Sequence, residues 1–475
     1  MQLLHAIAKT SAAFDDPNLV ASAGLVPLVA LAGRAGLPGL AAGVRPDGPA
    51  GANAALKIGC LAAGMAAGAD SIDDMGLLRH GAMGAVFGGI RAPSALGTFL
   101  RAFTWGNVSQ LQRAHRELLV SLCRIAPLLP GAGTLAFIDI DATQNRVYGY
   151  HKQGAAYGHT KIAGKPVLVK GLNVLAGVIS TPLSAPVIAA TRLRGGSAAS
   201  ARAAASLVTE TVATARRCGC AGQILTRLDS GFYSSVVIRA IRKAGAFFSV
   251  TDAMNPHVKN AIAAIPEGAW TPIRYPRAIW DEQAGGWVSD AEVAEVTYTA
   301  FTSKKKEDQV TARLIVRRVR ALNGKAAEGQ GELFPAWRCH AVLTDSPFVM
   351  LQAEGQHRDH AIVEQVFADW NAGPLAHMPS GSFAANAAWT VTAAMSQNLA
   401  RAAGALAGPL PAKARTATIR RDVINVAARI ARHGRGNITL HLPEGWHREH
   451  ERTSLWAKTA GTGAHVGTGP PAAAA

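Results

Sequence analysis

The sequence is poor in cysteine, in acid and in unbroken apolar runs. Five cysteines (Cys60, Cys123, Cys218, Cys220, Cys339) occur in 475 residues, and only Cys218 and Cys220 are neighbours. That spacing excludes a disulfide framework and a four-ligand zinc module, and it fits a reducing cytoplasm. The most apolar early stretch, LVASAGLVPLVALAG, is broken by Pro27 and ends at Arg34. It is too short and interrupted to span a bilayer, and it lies too far in, without a basic start, for a signal peptide. A soluble chain with no membrane partner is expected. Gly164-Lys165 comes closest to a phosphate-binding loop, but Gly158 lies one residue too far upstream and Pro166 stands where a hydroxyl residue is required. Neither a Gly-x-Ser-x-Gly elbow nor a His-Glu-x-x-His helix occurs. Nucleotide-driven and serine-hydrolase chemistry are thereby excluded.

The shortage of acid is the strongest signal. Lys and Arg number 48 against 31 Asp and Glu, a formal net charge of +17. With 49% hydrophobic and 17% charged residues the chain is too apolar to be disordered, and the excess positive charge is spread along it. A polyanionic partner follows. The length supports two or three domains.

Residues 1–128 read as helices separated by Gly and Pro. Pro93-Ser94 opens one, with Leu96, Phe99, Leu100 and Phe103 at helical spacing; a second runs from about Val108 to Arg124 with Leu111, Leu118, Leu119 and Leu122 on one face. Arginines including Arg101 and Arg113 edge the pair. A helix-turn-helix presented to a DNA groove and an ordinary helical domain with solvated arginines both fit. From 129 to 253 the period changes to strands: LAFIDIDAT, KPVLVKGLNVLAG and GVISTPLSAPVIAA, then a helix over Ser197–Arg217, the strand GQILTRLDSGF, a helix over Ser234–Ala244 and the strand AFFSVT.

Residues 254–347 alternate as a β-rich insertion carrying Lys304, Lys305, Lys306, Arg313, Arg317, Arg318 and Arg320, either a DNA-binding cluster or protection of an edge strand. Residues 348–408 return to helices, over Gln356–Asn371 and Ala384–Leu406. Residues 409–475 form a basic C-terminal region. Between Arg401 and Ala475 eleven Lys and Arg face four Asp and Glu, and Arg421, Ile424, Ala428 and Ala431 follow helical spacing. The reading is a helix with one apolar and one basic face, including Arg420 and Arg421, for phosphate contacts. The terminal GPPAAAA reads as disordered.

Three acids carry the chemistry. Asp141, with Asp139 two residues earlier on the same face, ends the first strand of the middle region; Asp229 closes its fourth; Glu364 sits on a helix after the insertion. Carboxylates at the ends of buried strands are costly unless a divalent metal offsets their desolvation. Two metal ions roughly 3.5–4 Å apart can serve an in-line phosphoryl displacement. Taken singly, Asp139 and Asp141 could be turn or cap residues, Asp229 before Ser230-Gly231 could form an Asx turn, and Glu364 could be a surface acid. Their joint placement favours the metal reading.

The segments FIDIDATQ, TRLDSGFYS and HRDHAIVEQVFADWN resemble the three catalytic stretches of bacterial insertion-sequence transposases of the Asp-Asp-Glu class. The resemblance is to insertion-sequence family thirteen-eighty, of the hairpin-forming branch. It extends to DSIDDMGLLRHGAM, PLAHMPSGSFAANAAW and IRRDVINVAARIARHGRGNITLHLPEGW, and so covers most of residues 55–450.

The resemblance implies an α/β fold. Its centre is a ribonuclease-H-like catalytic domain, a mixed sheet flanked by helices with a β-rich insertion, behind an all-α N-terminal DNA-binding region. It implies Asp141, Asp229 and Glu364 as catalytic metal ligands, with Asp139 the rival for the first position, and Mg²⁺ or Mn²⁺ as the ion. The related Tyr-Arg-Glu-Lys signature departs here, its tyrosine, arginine and lysine places holding His357, His360 and Asn371; Arg358 stands beside the first as compensating charge. The implied activity is cut-and-paste DNA transposition by a homodimer on paired ends. It would act on double-stranded DNA, the terminal inverted repeats and the target, in the bacterial cytoplasm at the nucleoid. DNA contacts would come from Arg101, Arg113, Lys304, Lys305, Arg317, Arg358, His360, Arg420 and Arg421. Trp280 and Trp287 are candidates to stack on a displaced base or, alternatively, packed aromatics. A non-catalytic DNA-binding derivative and a stand-alone metal-dependent nuclease are the alternatives.

Overall fold

The computed structural model describes residues 4–162, 165–273, 279–282, 286–288, 291–320 and 337–459. The N-terminal part holds the two-residue strand β1 (Leu19–Val20) and the helices α1 (Leu25–Arg34), α2 (Leu37–Ala42), α3 (Ala54–Ala67), α4 (Met83–Val86), α5 (Pro93–Arg101) and α6 (Trp105–Ile125). It is helical but for β1. The α5 stripe Leu96, Phe99, Leu100 and Phe103 is buried as its spacing requires. α6 opens on a capping box in which Thr104 and Asn107 each bond the other's backbone N–H.

The α5–α6 helix pair is present as read. α6 is a scaffold helix packed on β5 and α12 of the chain's centre. Its Leu111, Leu118, Leu119 and Leu122 are buried together with Gln112 and His115, and Arg116 pairs with Glu210 at 3.2 Å. The apolar stripe faces the core, while Ser109, Gln110, Arg113 and Arg124 lie exposed on the other side of α6.

The middle region supplies β2 (Leu135–Arg146), β3 (Ala156–Ile162), β4 (Lys165–Ser180), β5 (Val187–Gly195), α7 (Ala204–Arg217), β6 (Gln223–Leu228), α8 (Ser235–Lys243) and β7 (Phe247–Asp252). The expected strand and helix order holds, with β3 as an added strand. The boundary between the second and third strands falls at the Thr181–Pro182 turn rather than at Gly177, so KPVLVKGLNVLAGVIS is one strand. Gly177 lies where β4 meets α7, and a Cβ there would come within 2.2 Å of Thr211 Oγ1. A substituted residue would push the helix off the sheet.

The insertion carries α9 (Pro256–Ala263), β8 (Thr271–Ile273), β9 (Ile279–Asp281), β10 (Gly286–Val288), β11 (Ala291–Ala300), β12 (Val310–Arg320) and β13 (Trp337–Thr344). It is β-rich as read, and it continues the central sheet, because β13 pairs antiparallel with β7. The order β3-β4-β2-β6-β7-β13-β12-β11-β8 results, with β5 also on β4, while β9 and β10 form a separate hairpin. β2, β6 and β7 are parallel and the other neighbours antiparallel. The architecture is mixed α/β, a large mixed sheet flanked by helices.

Beyond the sheet lie α10 (Met350–Arg358), a 3-10 turn at Asp359–Ala361, α11 (Ile362–Asn371) and α12 (Phe383–Ala407). α12 is buried along nearly its whole length. Asn398 on it bonds the Ile188 backbone N–H and C=O at 2.9 and 2.8 Å and lies 3.1 Å from His115 Nε2. Burial pushes His115 down to about 3, so this residue is a neutral tie between α6, α12 and β5.

The chain ends with α13 (Pro409–Lys413), α14 (Thr416–Ile419), β14 (Ala428–Arg432), β15 (Ile438–His441) and α15 (Glu449–Thr459). The amphipathic helix expected through Ala431 is corrected by the structure. Helical turns stop at Ile424, and Ala428–Arg432 is the central strand of a β1-β14-β15 sheet. Ala428 and Ile430 point inward while Arg429 points out, a two-residue period that the shared spacing of the alanines concealed. The GPPAAAA end lies outside the described residues, as does the side chain of Trp287; Trp280 is half exposed. Among the described residues no helix is long and apolar enough to cross a membrane.

Candidate active site

The site assembles where β2 and β6 run side by side and α11 packs against them. In the parallel register Asp139 stands opposite Arg227. Both are buried, at 0% and 1% side-chain exposure. Arg227 grips Asp139 with two bonds, Nε to Oδ1 and Nη2 to Oδ2, each 2.7 Å. Its remaining Nη1 donates to the Gln356 carbonyl at 2.8 Å, and the guanidinium lies 4.1 Å from the Phe137 ring centroid. His360 Nδ1 approaches Asp139 Oδ1 at 2.8 Å. The Asp139–Arg227–His360 cluster therefore ties β2, β6 and the α10–α11 junction into one unit. Burial alone would raise the Asp139 carboxyl, but Arg227 and His360 hold it below the usual carboxylate range. For His360 burial disfavours the cation, and Asp139 with Asp141 outweighs it, so the imidazole is held above its ordinary value.

Asp141 shares the Asp139 face of β2 but is only partly covered. Its Oδ1 accepts the Ala142 N–H at 2.6 Å. Burial, reinforced by Asp229 and Glu364 and opposed by Ala142 N–H and His360, pushes its carboxyl up to about 6. Asp229 is exposed at the end of β6, where its Oδ1 accepts the Gly231 N–H at 2.9 Å, the Asx turn foreseen as one alternative. Glu364 is exposed in the first turn of α11. Asp141 thus sits mid-strand, one residue beyond the β2–β6 pairing rather than at the strand end expected, and the charges of Asp229 after β6 and Glu364 at the start of α11 help raise its proton affinity. That is the chemistry of an oxygen donor set suited to a hard divalent cation. Among the described residues no three His, Cys, Asp or Glu side chains already stand in metal-holding geometry.

The structure separates the two rivals for the first position by environment: Asp139 has both oxygens engaged by Arg227 and His360, whereas Asp141 faces the other two acids. The sequence reading missed Arg227. Its signal was present, since an arginine inside an otherwise apolar strand requires a partner carboxylate. His357 is also a structural residue, with Nδ1 2.8 Å from Ser249 Oγ and Nε2 3.0 Å from Thr251 Oγ1. Burial, then the His360 and Arg227 charges, pushes it down to about 3. A buried Arg194 borders the site, bonded to Asn173 Oδ1 at 2.6 Å and to the carbonyls of Ala199, Ser200 and Arg202.

The cations expected to contact DNA divide in two. Arg101, Arg113, Lys304 and Lys305 are exposed, though Lys304 Nζ donates to Ser235 Oγ at 2.9 Å. Arg317 and Arg358 both reach the buried Glu354, at 3.4 and 2.9 Å, and His360 is held by Asp139. Arg420 is half-buried with its Nε 3.3 Å from the Ala66 carbonyl, while Arg421 is exposed and paired with Asp422 at 2.5 Å.

No curated protein matches the chain. The sequence model of the family described as transposase DDE domain group 1 matches residues 6–461. That match spans the N-terminal helices, the central sheet with its insertion and the β14–β15 segment, and the chain belongs to that family of DDE transposases.

Proposed function

We propose that the chain is the transposase of an insertion sequence of the thirteen-eighty type. In this reading it binds the element's terminal inverted repeats, cleaves at the ends and joins the freed 3′ ends to target DNA. Asp141, Asp229 and Glu364 are the metal ligands, and Asp139 is a buried brace. The observation that carries the reading is the DDE transposase family match over residues 6–461, with Asp141 near enough to Asp229 and Glu364 for their charges to act on its carboxyl. Mg²⁺ or Mn²⁺ held there would supply charge neutralisation and an acidified hydroxyl at the scissile phosphate. Asp141, with its raised proton affinity, would have to give up its proton to hold the ion, and Asp229 and Glu364 would be its co-ligands from the end of β6 and the start of α11. Arg227 fixes the strand and helix on which these ligands ride. Cleavage of two ends calls for a homodimer, and a hairpin intermediate on the second strand is the route implied by the branch.

The test incubates purified protein with Mg²⁺ and DNA carrying the sequence that flanks its gene. Strand-transfer products should fall by roughly 10³-fold or more in Asp141→Ala, Asp229→Ala and Glu364→Ala, the scale of losing several kcal/mol of transition-state stabilisation. Cleavage unchanged by all three substitutions would overturn the triad.

A further inference from the structure

We propose that the sheet edge built by β3 with the adjoining ends of β2 and β4 is a binding surface for unpaired DNA. Its tyrosine rings stack on bases and its cations meet the phosphates. The inference rests on the transposase reading and deepens it.

Composition isolates this edge. No Asp or Glu occurs between Asp141 and Glu210, whereas Arg146, Lys161, Lys165 and Lys170 all fall in the first part of that stretch, where Lys152 is already bonded to the Met378 and Ser380 carbonyls at 3.0 Å. Of the chain's 6 tyrosines, Tyr148, Tyr150 and Tyr157 lie there, exposed by 65%, 94% and 63%. A groove of about 550 Å³ brings Arg146, Tyr148, Tyr150, Tyr157, Leu168 and Lys170 together. The Arg146 guanidinium is 5.0 Å from the Tyr148 ring centroid.

Register then places the surface relative to the acids. Tyr157 stands opposite Lys170 and His159 opposite Leu168, so these four side chains share one face. Asp141 stands opposite Ala176, an even number of residues along β4 from Lys170, and so projects from that same face. At about 3.4 Å per residue the Tyr157–Lys170 pair lies roughly 20 Å along the strand from Asp141. A strand leaving the catalytic acids crosses the tyrosines within a few nucleotides.

Charge decides the occupant. A second copy paired through β3 would set identical basic edges against each other, which opposes association. Unpaired DNA supplies both missing complements, phosphates for the cations and bare base faces for the rings, whereas stacked duplex bases offer only phosphates.

The test measures fluorescence anisotropy of labelled single-stranded and duplex oligonucleotides with the full chain in EDTA, so that no catalysis is required. The combined Tyr148→Ala, Tyr150→Ala and Tyr157→Ala variant should bind single strands about ten- to a hundredfold more weakly and duplex within about twofold of wild type. The corresponding Tyr→Phe variant should bind as wild type, and Arg146→Gln with Lys170→Gln should weaken both DNA forms. Unchanged single-strand binding by the triple alanine variant, or an equal loss on duplex, would overturn the proposal. So would a triple variant that turns a wild-type dimer into a monomer on gel filtration, since the edge would then be an interface between copies. Strand transfer is assayed separately. Tyrosine-dependent single-strand binding without strand transfer would sink the proposed function and leave this surface standing.

Discussion

Asp139 and Asp141 lie two residues apart on one face of one strand, and their surroundings give them opposite tasks. Asp139 is a carboxylate fully removed from water, tolerable only because Arg227 answers it with a bidentate fork and His360 completes the set. Removing one partner leaves the other charge buried alone. Arg227→Ala should therefore cost about 3–5 kcal/mol in urea unfolding, and Arg227→Lys should cost less but still be clearly destabilising, because an ammonium cannot make the paired fork. Both variants bound to the wild-type urea midpoint would show that the pair contributes nothing. Asp141 has the reverse problem. Its folded carboxyl titrates near 6, above the ordinary value of 3.8. Below about pH 3.8 both states are protonated and the group costs nothing; between about pH 3.8 and 6 the unfolded carboxyl ionises while burial and the charges of Asp229 and Glu364 keep the folded one protonated, so stability falls across that window and levels off above it. Asp141→Asn should therefore raise metal-free stability by about 3 kcal/mol at pH 8 and by roughly half as much at pH 5. Thermal melts at the two pH values in EDTA check this, and a gain independent of pH would contradict the raised pKa.

At the scale of elements, the ends of the described chain are clasped. β1 pairs with β14, and the Gly24 N–H donates to the Ile424 carbonyl at 3.0 Å. A Cβ on Gly24 would lie 2.0 Å from the Val423 carbonyl oxygen, a backbone atom that cannot rotate away. Gly24→Ala should cost roughly 2 kcal/mol or more and speed hydrogen exchange in β1 and β14 ahead of β2 and β6. Uniform exchange across both sheets would mean that the clasp and the catalytic sheet unfold as one. This clasp was illegible in the sequence. Ala428 and Ala431 fit a helical stripe as well as Ala428 and Ile430 fit a strand, and only the partner strands, one of them some four hundred residues away, decide between them. β6 was legible as a compact apolar run ending before an acid, and β2 in its first half, although β2 runs on past Asp141 to Arg146. The α5–α6 pair was legible as helices but not in its use, since an apolar stripe looks the same whether it backs a recognition helix or fills a core. Asp141, Asp229 and Glu364 could be singled out as candidates from their positions, whereas the different surroundings of Asp139 and Asp141 depended on which faces Arg227.

For the whole molecule the question is how a net charge of +17 is used. Many arginines serve the fold. Arg227 answers Asp139, Arg318 is shared by Glu267 and Glu292, Arg401 pairs with Asp369 at 3.2 Å and Arg192 with Glu210 at 2.5 Å. Such pairs consume acid as well as base, so the excess remains and is carried by side chains such as Arg101, Arg113, Lys304, Lys305 and the acid-free stretch after Asp141. A footprint that engages roughly 6–10 phosphates would weaken duplex binding by about 10³–10⁵ between 50 and 200 mM salt, a log–log slope near −0.9 per phosphate. Substituting Arg192, whose guanidinium is occupied by Glu210 and Gln112, should leave that slope unchanged, while Lys304→Gln with Lys305→Gln should reduce it by about 2. Anisotropy titrations across that salt range separate the two classes of cation. A slope near zero in the wild-type chain would mean that the excess charge is solvated rather than used to hold DNA.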